Sequence, residues 1–299
     1  MPSFQFRFLL ALPAILLAIA LTRSPARMAS TPPSSSKPWA DSPIKLVSTP
    51  QYQTKKTDLF TTGATHMALL HNSILRGYNS IYNQAEHVRD VEKADFIGYG
   101  LAWYRFVKSH HDDEEENLFA RIEDLLGDKT VFAETHKEHE SFLQGLAEFD
   151  RYLTSVSTDP LSFSGSELLR IMSSFQAPFE THFHNEITTI AALADHPSAP
   201  KEGSPEAAAA AAVFKTWGKT TVSKAGYLDV LPFFLLNLDA TFEDGTWAHW
   251  PPMPAPIRWG LVNIGGAFHY GWWKFASCDA GGRPRELWAL QHGVAKARD

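Results

Sequence analysis

Four stretches of this chain, about 60–85, 90–127, 130–156 and 165–195, repeat apolar residues at steps of three and four, with only a few residues between one and the next. That period is what an α-helix needs to present one apolar face. Met67, Leu70, Ile74, Leu75, Tyr78 and Ile81 carry it in the first stretch. Gly127 stands where a left-handed C-cap would close the second. Pro160 stops the third. Ser164 and Glu167 make a capping box for the fourth, HPSAP closes it, and Pro178 inside it predicts a kink. Long helices on short connections run antiparallel to their neighbours, so the expected fold is all-α, an up-down-up-down four-helix bundle over 59–196.

The flanks read differently. Within 1–27, an apolar run from Phe8 to Leu21 follows Arg7, and Ala18-Ile19-Ala20 fits a small-x-small cleavage pattern. This is the pattern of a signal peptide, or of a membrane anchor if uncleaved, and the run falls short of the roughly 20 residues of a full span. It implies the secretory pathway or a membrane attached only through this segment. Translation from Met28 would instead give a cytoplasmic protein. Residues 28–58, rich in Ser, Thr, Pro and Lys, read as a disordered linker. Residues 197–299 read as a C-terminal extension packing on the bundle: an extra helix, EAAAAAAVFKTWGK, then an irregular wrap holding six of the nine tryptophans.

The net charge of −6 gives no reason to propose nucleic-acid binding, which would call for a basic face. The single cysteine, Cys278, excludes an internal disulfide and a thiolate zinc site. A metal site in this chain must be built from His, Asp and Glu.

Residues four apart share a helix face. In the second helix Trp103, Tyr104, Val107, His111, Glu115 and Leu118 read as one broad stripe; in the fourth, Phe175, Phe179, His182, Glu186 and Ile190 do. The first helix brings His71 on its apolar stripe, and the third His139, ahead of Phe142, Leu143 and Leu146. A lone helical histidine is more often a hydrogen-bonded core residue than a ligand, and DDEEE at 112–116 alone would be a solvated acidic face, as Asp112, Asp113, Glu114 and Glu116 are expected to be. One histidine on each of four consecutive helices, two of them with a glutamate four residues on, is a different matter. Inward polar groups must be satisfied. The set His71, His111, Glu115, His139, His182 and Glu186 suits a pair of iron ions, because imidazole is an acceptable iron ligand and carboxylates bridge cations.

HNSILRGYNSIY at 71–82, HHDDEEENLF at 110–119, HESFLQGL at 139–146 and HFHNE at 182–186 together resemble the successive helix signatures of the hemerythrin-like (HHE cation-binding) family, in its fungal form with a C-terminal extension. The resemblance covers about 60–195 and implies non-heme iron, held by the same six residues. The oxygen-carrying members have two histidines four apart on the third helix; here Thr135 precedes His139 by four, and the extra histidine is His136. Either His136, water or Glu114 then completes the site. The fourth-helix carboxylate follows its histidine by four, not five, similar to the metal-sensing relatives.

Three uses follow: a di-iron protein binding or sensing iron or O2; an O2-activating di-iron oxidoreductase with a pocket under the Trp-rich tail, walled by Phe233, Trp247, Trp250, Trp259, Trp272 and Trp273; or a metal-free helical interaction module.

Overall fold

A computed structural model describes residues 39–292, and these are helical, with no strand beyond an isolated Cys278–Pro284 bridge. Helix α1 is Pro50–Thr54, α2 Leu59–Gln84, α3 Lys93–Asp113, α4 Phe119–Leu126, α5 Ala133–Val156, α6 Gly165–Ala192, α7 Pro205–Ala225 and α8 Val230–Leu236. A single π-helical turn, Glu114–Leu118, joins α3 to α4. Helix α5 packs on α6, α6 on α2, and α3 on both α5 and α2, which closes a four-helix bundle.

Local chemistry explains the ends. Gly127 closes α4 with φ 65°, a conformation that costs glycine little. The Ser164 hydroxyl accepts from the Glu167 amide at 3.3 Å, as the capping box predicts. The reciprocal half is absent, because the Glu167 carboxylate turns to Arg170 and the Ser164 amide donates to the Tyr152 hydroxyl instead. Helix α6 continues through Pro178.

Below the histidine level the core is aromatic. Trp103 lies 5.0 Å from Phe149 and 5.8 Å from both Tyr78 and Phe179, ring centre to ring centre. Its indole donates to the Ile74 carbonyl at 3.0 Å, and the Tyr78 hydroxyl to the Met172 carbonyl at 2.9 Å, so neither polar tip is stranded.

The segment expected as a disordered linker is, over 39–58, packed against the bundle. Ala40 and Ile44 are fully buried. Asn72 and Asn79, two turns apart on one face of α2, act as side-chain partners for this extended strap. The Asn79 carbonyl accepts from the Ile44 amide at 2.9 Å, and its NH2 donates to the carbonyls of Ala40 and Ile44. Asn72 makes the same two-way pairing with Val47, at 2.7 and 2.8 Å. Between them Arg76 pairs with Asp41. A Ser/Thr/Pro-rich stretch has no periodicity to announce such a role, since its backbone finds its partners on a distant helix. Asn79→Ala should destabilise the protein by about 3 kcal/mol, because it removes three hydrogen bonds and orphans a buried amide. Urea unfolding checks this; a loss below about 1 kcal/mol would show that the amide is not what holds the strap.

The C-terminal part packs on the same bundle: α7 lies on α3 and α2, and α8 on α3, α2 and α7. Glycines mark the closest approaches. A Cβ at Gly98 would stand 2.2 Å from the Trp272 ring, and one at Gly77 2.7 Å from Phe233. Among the described residues no helix is long and apolar enough to cross a membrane. The apolar run Phe8–Leu21 lies outside them.

Candidate metal centre

Four imidazoles, one from each wall of the bundle, meet at one level, and they form two pairs. His71 Nε2 of α2 lies 3.1 Å from His110 Nε2 of α3. His139 Nε2 of α5 lies 3.1 Å from His182 Nε2 of α6. Two carboxylates stand between the pairs. Glu114 places Oε1 2.9 Å from His110 Nε2 and Oε2 3.8 Å from His139 Nε2. Glu186 places Oε2 3.4 Å from both His71 Nε2 and His182 Nε2. Each carboxylate thus reaches one histidine of either pair. None of the six side chains is more than 3% exposed.

The helix ends of this layer explain which residues take part. Four of the six expected residues, His71, His139, His182 and Glu186, are brought together. His111 and Glu115 are not at the centre; His110 and Glu114 are, and Glu114 is 1% exposed where a solvated acid was expected. The reason is angular. His110 and Glu114 follow Trp103 by seven and eleven residues, within about 20° of it around an α-helix, whereas His111 and Glu115 are turned away by roughly 80° and 120°. Trp103 is fully buried and sets the inward direction. Counting from Trp103 would have found the pair; counting from Val107 in steps of four found its neighbour. The π-helical turn begins at Glu114, and the apolar stripe resumes at Leu118 and Phe119.

His111 and Glu115 sit just outside. The Glu115 carboxylate contacts His139 Nδ1 at 2.5 Å and His136 Nδ1 at 2.8 Å. His111 lies tilted beside His139, 4.3 Å between ring centres. His136 is itself half-exposed and bonded outward, so it does not reach the centre. From behind, the Phe183 carbonyl faces His71 Nδ1 at 3.2 Å, and the Glu138 carboxylate stands 3.5 Å from His182 Nδ1, an ion-pair rather than a hydrogen-bond contact. A proton held at Nδ1 leaves the Nε2 lone pair free, and at His71, His139 and His182 that lone pair points inward. Asp113 and Asp112 point elsewhere, toward Lys224 and Lys108 at 2.9 and 2.5 Å.

Electrostatics at the centre is unresolved by the protein alone. Both oxygens of Glu114 and both of Glu186 are buried without a hydrogen-bond partner among the described residues, despite the nearby imidazoles. Burial pushes both carboxyls well above the ordinary range, and their mutual repulsion adds to this at Glu186. Burial pushes His110 down to about 3, and holds His71, His139 and His182 low as well, with neighbouring imidazoles adding to the effect. Neutral imidazoles with converging lone pairs, and paired acids that resist ionising, form an arrangement that a cation stabilises. Three groups have donor atoms close enough to share an ion: His71, His110 and Glu114; His139, His182 and Glu186; and the partly exposed His111 and Glu115 with the buried His139.

The profile of the hemerythrin HHE cation binding domain matches residues 62–194. The bundle belongs to the hemerythrin HHE family. A relative 29% identical over 259 residues, spanning 84% of this chain and 93% of its own length, is the dimeric xanthone biosynthesis cluster protein R11 of Cryptosporiopsis sp. (strain 8999). No solved structure matches the chain. The buried His/Glu layer lies within the matched segment, and its donors, nitrogen and carboxylate oxygen without thiolate, fit a first-row transition metal.

The six aromatic residues expected to wall a pocket do not act together. Phe233 is fully buried against Tyr99, Phe106 and Gly77. Trp272 covers Gly98, Trp273 donates to the Gly266 carbonyl, Trp247 donates to Glu243, and Trp259 is exposed. Only Trp250 of the six lines a large cleft, of about 690 Å³, bounded mainly by α2, α7 and α8.

Proposed function

We propose that this hemerythrin-domain protein is a non-heme di-iron protein that binds or senses O2 or iron. The observation that carries the reading is the pairing: two imidazole pairs with two partnerless carboxylates reaching both. His71 and His110 would hold one ion, His139 and His182 the other, with Glu114 and Glu186 shared between them. Four protein donors for each ion leave room for a small molecule. Iron bound there would supply reversible binding and reduction of O2. The chain's own residues hold the site ready for it. Phe183, Glu115 and Glu138 orient the imidazoles from outside, so that little rearrangement accompanies loading. Phe142 and Phe183 pack against His182, with Phe179 behind them, and keep water from the layer.

Elemental analysis of purified protein, with optical spectra taken anaerobically and then in air, tests this. Two irons per chain and a reversible visible band on aeration are the expected result. Protein that folds fully, takes up no iron and stays colourless sinks the proposal and leaves the helical interaction module.

A second reading, an O2-activating oxidoreductase acting on an organic compound, is favoured by the cleft beside the centre and by the biosynthetic-cluster name of the relative. Consumption of an added organic compound in step with O2 would select it.

A further inference from the structure

The cleft of about 690 Å³ is of the size that holds small molecules, and its walls are mostly apolar and aromatic. Phe214 and Trp217 of α7 form one side, Met67 and Leu70 of α2 the floor, Phe234 and Trp250 the other side. These rings are fixed by packing. Phe214 lies against Gly63, where a Cβ would come within 2.9 Å of it, and Trp250 stands edge-on to Phe234 at 5.8 Å. Rigid aromatic walls select flat ligands, which slide between ring faces at low entropic cost.

Two features make this more than an apolar gap. His66 opens into it, 6.1 Å from Trp250 between ring centres, and its ring nitrogens have no hydrogen-bond partner among the described residues. His66 is itself solvent-exposed, at the edge of the cleft, and its neutral ring offers one N–H and one lone pair to a ligand; desolvation lowers its pKa from the ordinary value. Trp217 is the other. It lines the cleft on one side and packs against His110 on the other, at 5.9 Å between ring centres, and its indole N–H is buried without a partner.

We propose that the cleft between α2, α7 and the Trp250–Met253 segment binds a flat, hydroxylated aromatic small molecule, with Trp217 as the wall between that ligand and His110. Binding itself stands independently of iron; that the ligand is the organic substrate of the centre rests on the oxidoreductase reading above. Gly218 supports the assignment. It sits inside α7, where alanine would be the better helix former, and a Cβ there would meet nothing within 4 Å. Gly218 lines the cleft and is solvent-exposed there, so a large side chain at this position would stand at the cleft wall.

The test uses the full chain loaded with iron, titrated with 2-naphthol and with naphthalene and followed by tryptophan fluorescence and calorimetry. Wild type should bind 2-naphthol with a Kd below about 1 mM. Gly218→Phe narrows the cleft and should weaken binding at least tenfold with iron content and helicity unchanged; Gly218→Leu serves if the larger residue disturbs folding. His66→Leu should weaken 2-naphthol several-fold and leave naphthalene unaffected. Absence of 2-naphthol binding to wild type, or unchanged binding in a folded Gly218 variant, overturns the proposal. Chelated wild-type protein separates the two readings: retained naphthol binding there supports the cleft whatever the fate of iron, and failure of naphthol binding leaves iron loading untouched.

Discussion

Glu114→Met is expected to abolish iron loading and, in the presence of chelator, to raise the melting temperature. The two effects have opposite signs because the carboxylate has opposite roles in the two states. With cations present it is the oxygen donor that reaches both imidazole pairs. Without them it is a fully buried acid set against the Glu186 carboxyl and neutral imidazoles. Replacing such a group by an apolar side chain of similar volume stabilises by about 1–4 kcal/mol in comparable buried sites. Glu115→Ala should behave differently: two irons still bind at saturation, with affinity lower by the roughly 10–100-fold that loss of an orienting partner costs. Elemental analysis and calorimetry of both variants read these outcomes. Full iron occupancy in Glu114→Met, or loss of all iron in Glu115→Ala, would move the centre back to the neighbouring face of α3. His110→Ala and His111→Ala should repeat the contrast.

Removal of the metal from the wild-type chain should lower stability by about 4 kcal/mol when free iron had stood at 1,000 times its Kd. For a domain of this size that is a fall of roughly 8–16 °C in melting temperature. The metal-free protein should also show a stability maximum near pH 6.5, for reasons of sign. The buried imidazoles have folded-state pKa values below the unfolded value of 6.5. Below pH 6.5 the unfolded chain therefore takes up protons that the folded chain cannot, and stability falls with acid by up to about 1.4 kcal/mol per pH unit for each group. The two carboxyls have folded pKa values above the unfolded 4.5. Their contribution is complete below that value and is lost as pH rises toward the folded pKa. Between 4.5 and 6.5 the four imidazoles outweigh the two acids; above 6.5 the acids act alone and stability declines. Glu114→Met should flatten that alkaline decline. Urea unfolding across pH 5–9 is the measurement, and apo stability climbing steadily from pH 6.5 to 8.5 would contradict the buried-acid account.

Much of this was readable before any coordinates. Apolar period, Gly127, Ser164 and Pro160 mark helices and their ends by local chemistry alone. His71, His139, His182 and Glu186 stand on apolar stripes, although His136 lies one turn before His139. The second helix was harder, since HHDDEE offers two His-x-x-x-Glu pairs one residue apart, and an apolar stripe broad enough to include Tyr104 admits either. The strap over 39–50 was invisible, because Asn72 and Asn79 look like ordinary polar residues until a distant backbone is laid beside them.

By itself, then, the order of residues determined how many long helices form, where they stop, and that imidazoles and acids would share their inward faces, because those are properties of a few consecutive residues. Packing decided the rest: that Trp103, fully buried, turns Glu114 inward and Glu115 to the rim, that α7 leaves a cleft behind Trp217, and that the strap is held by two asparagines. Those outcomes depend on contacts between segments far apart in the chain, whose energies no local pattern encodes.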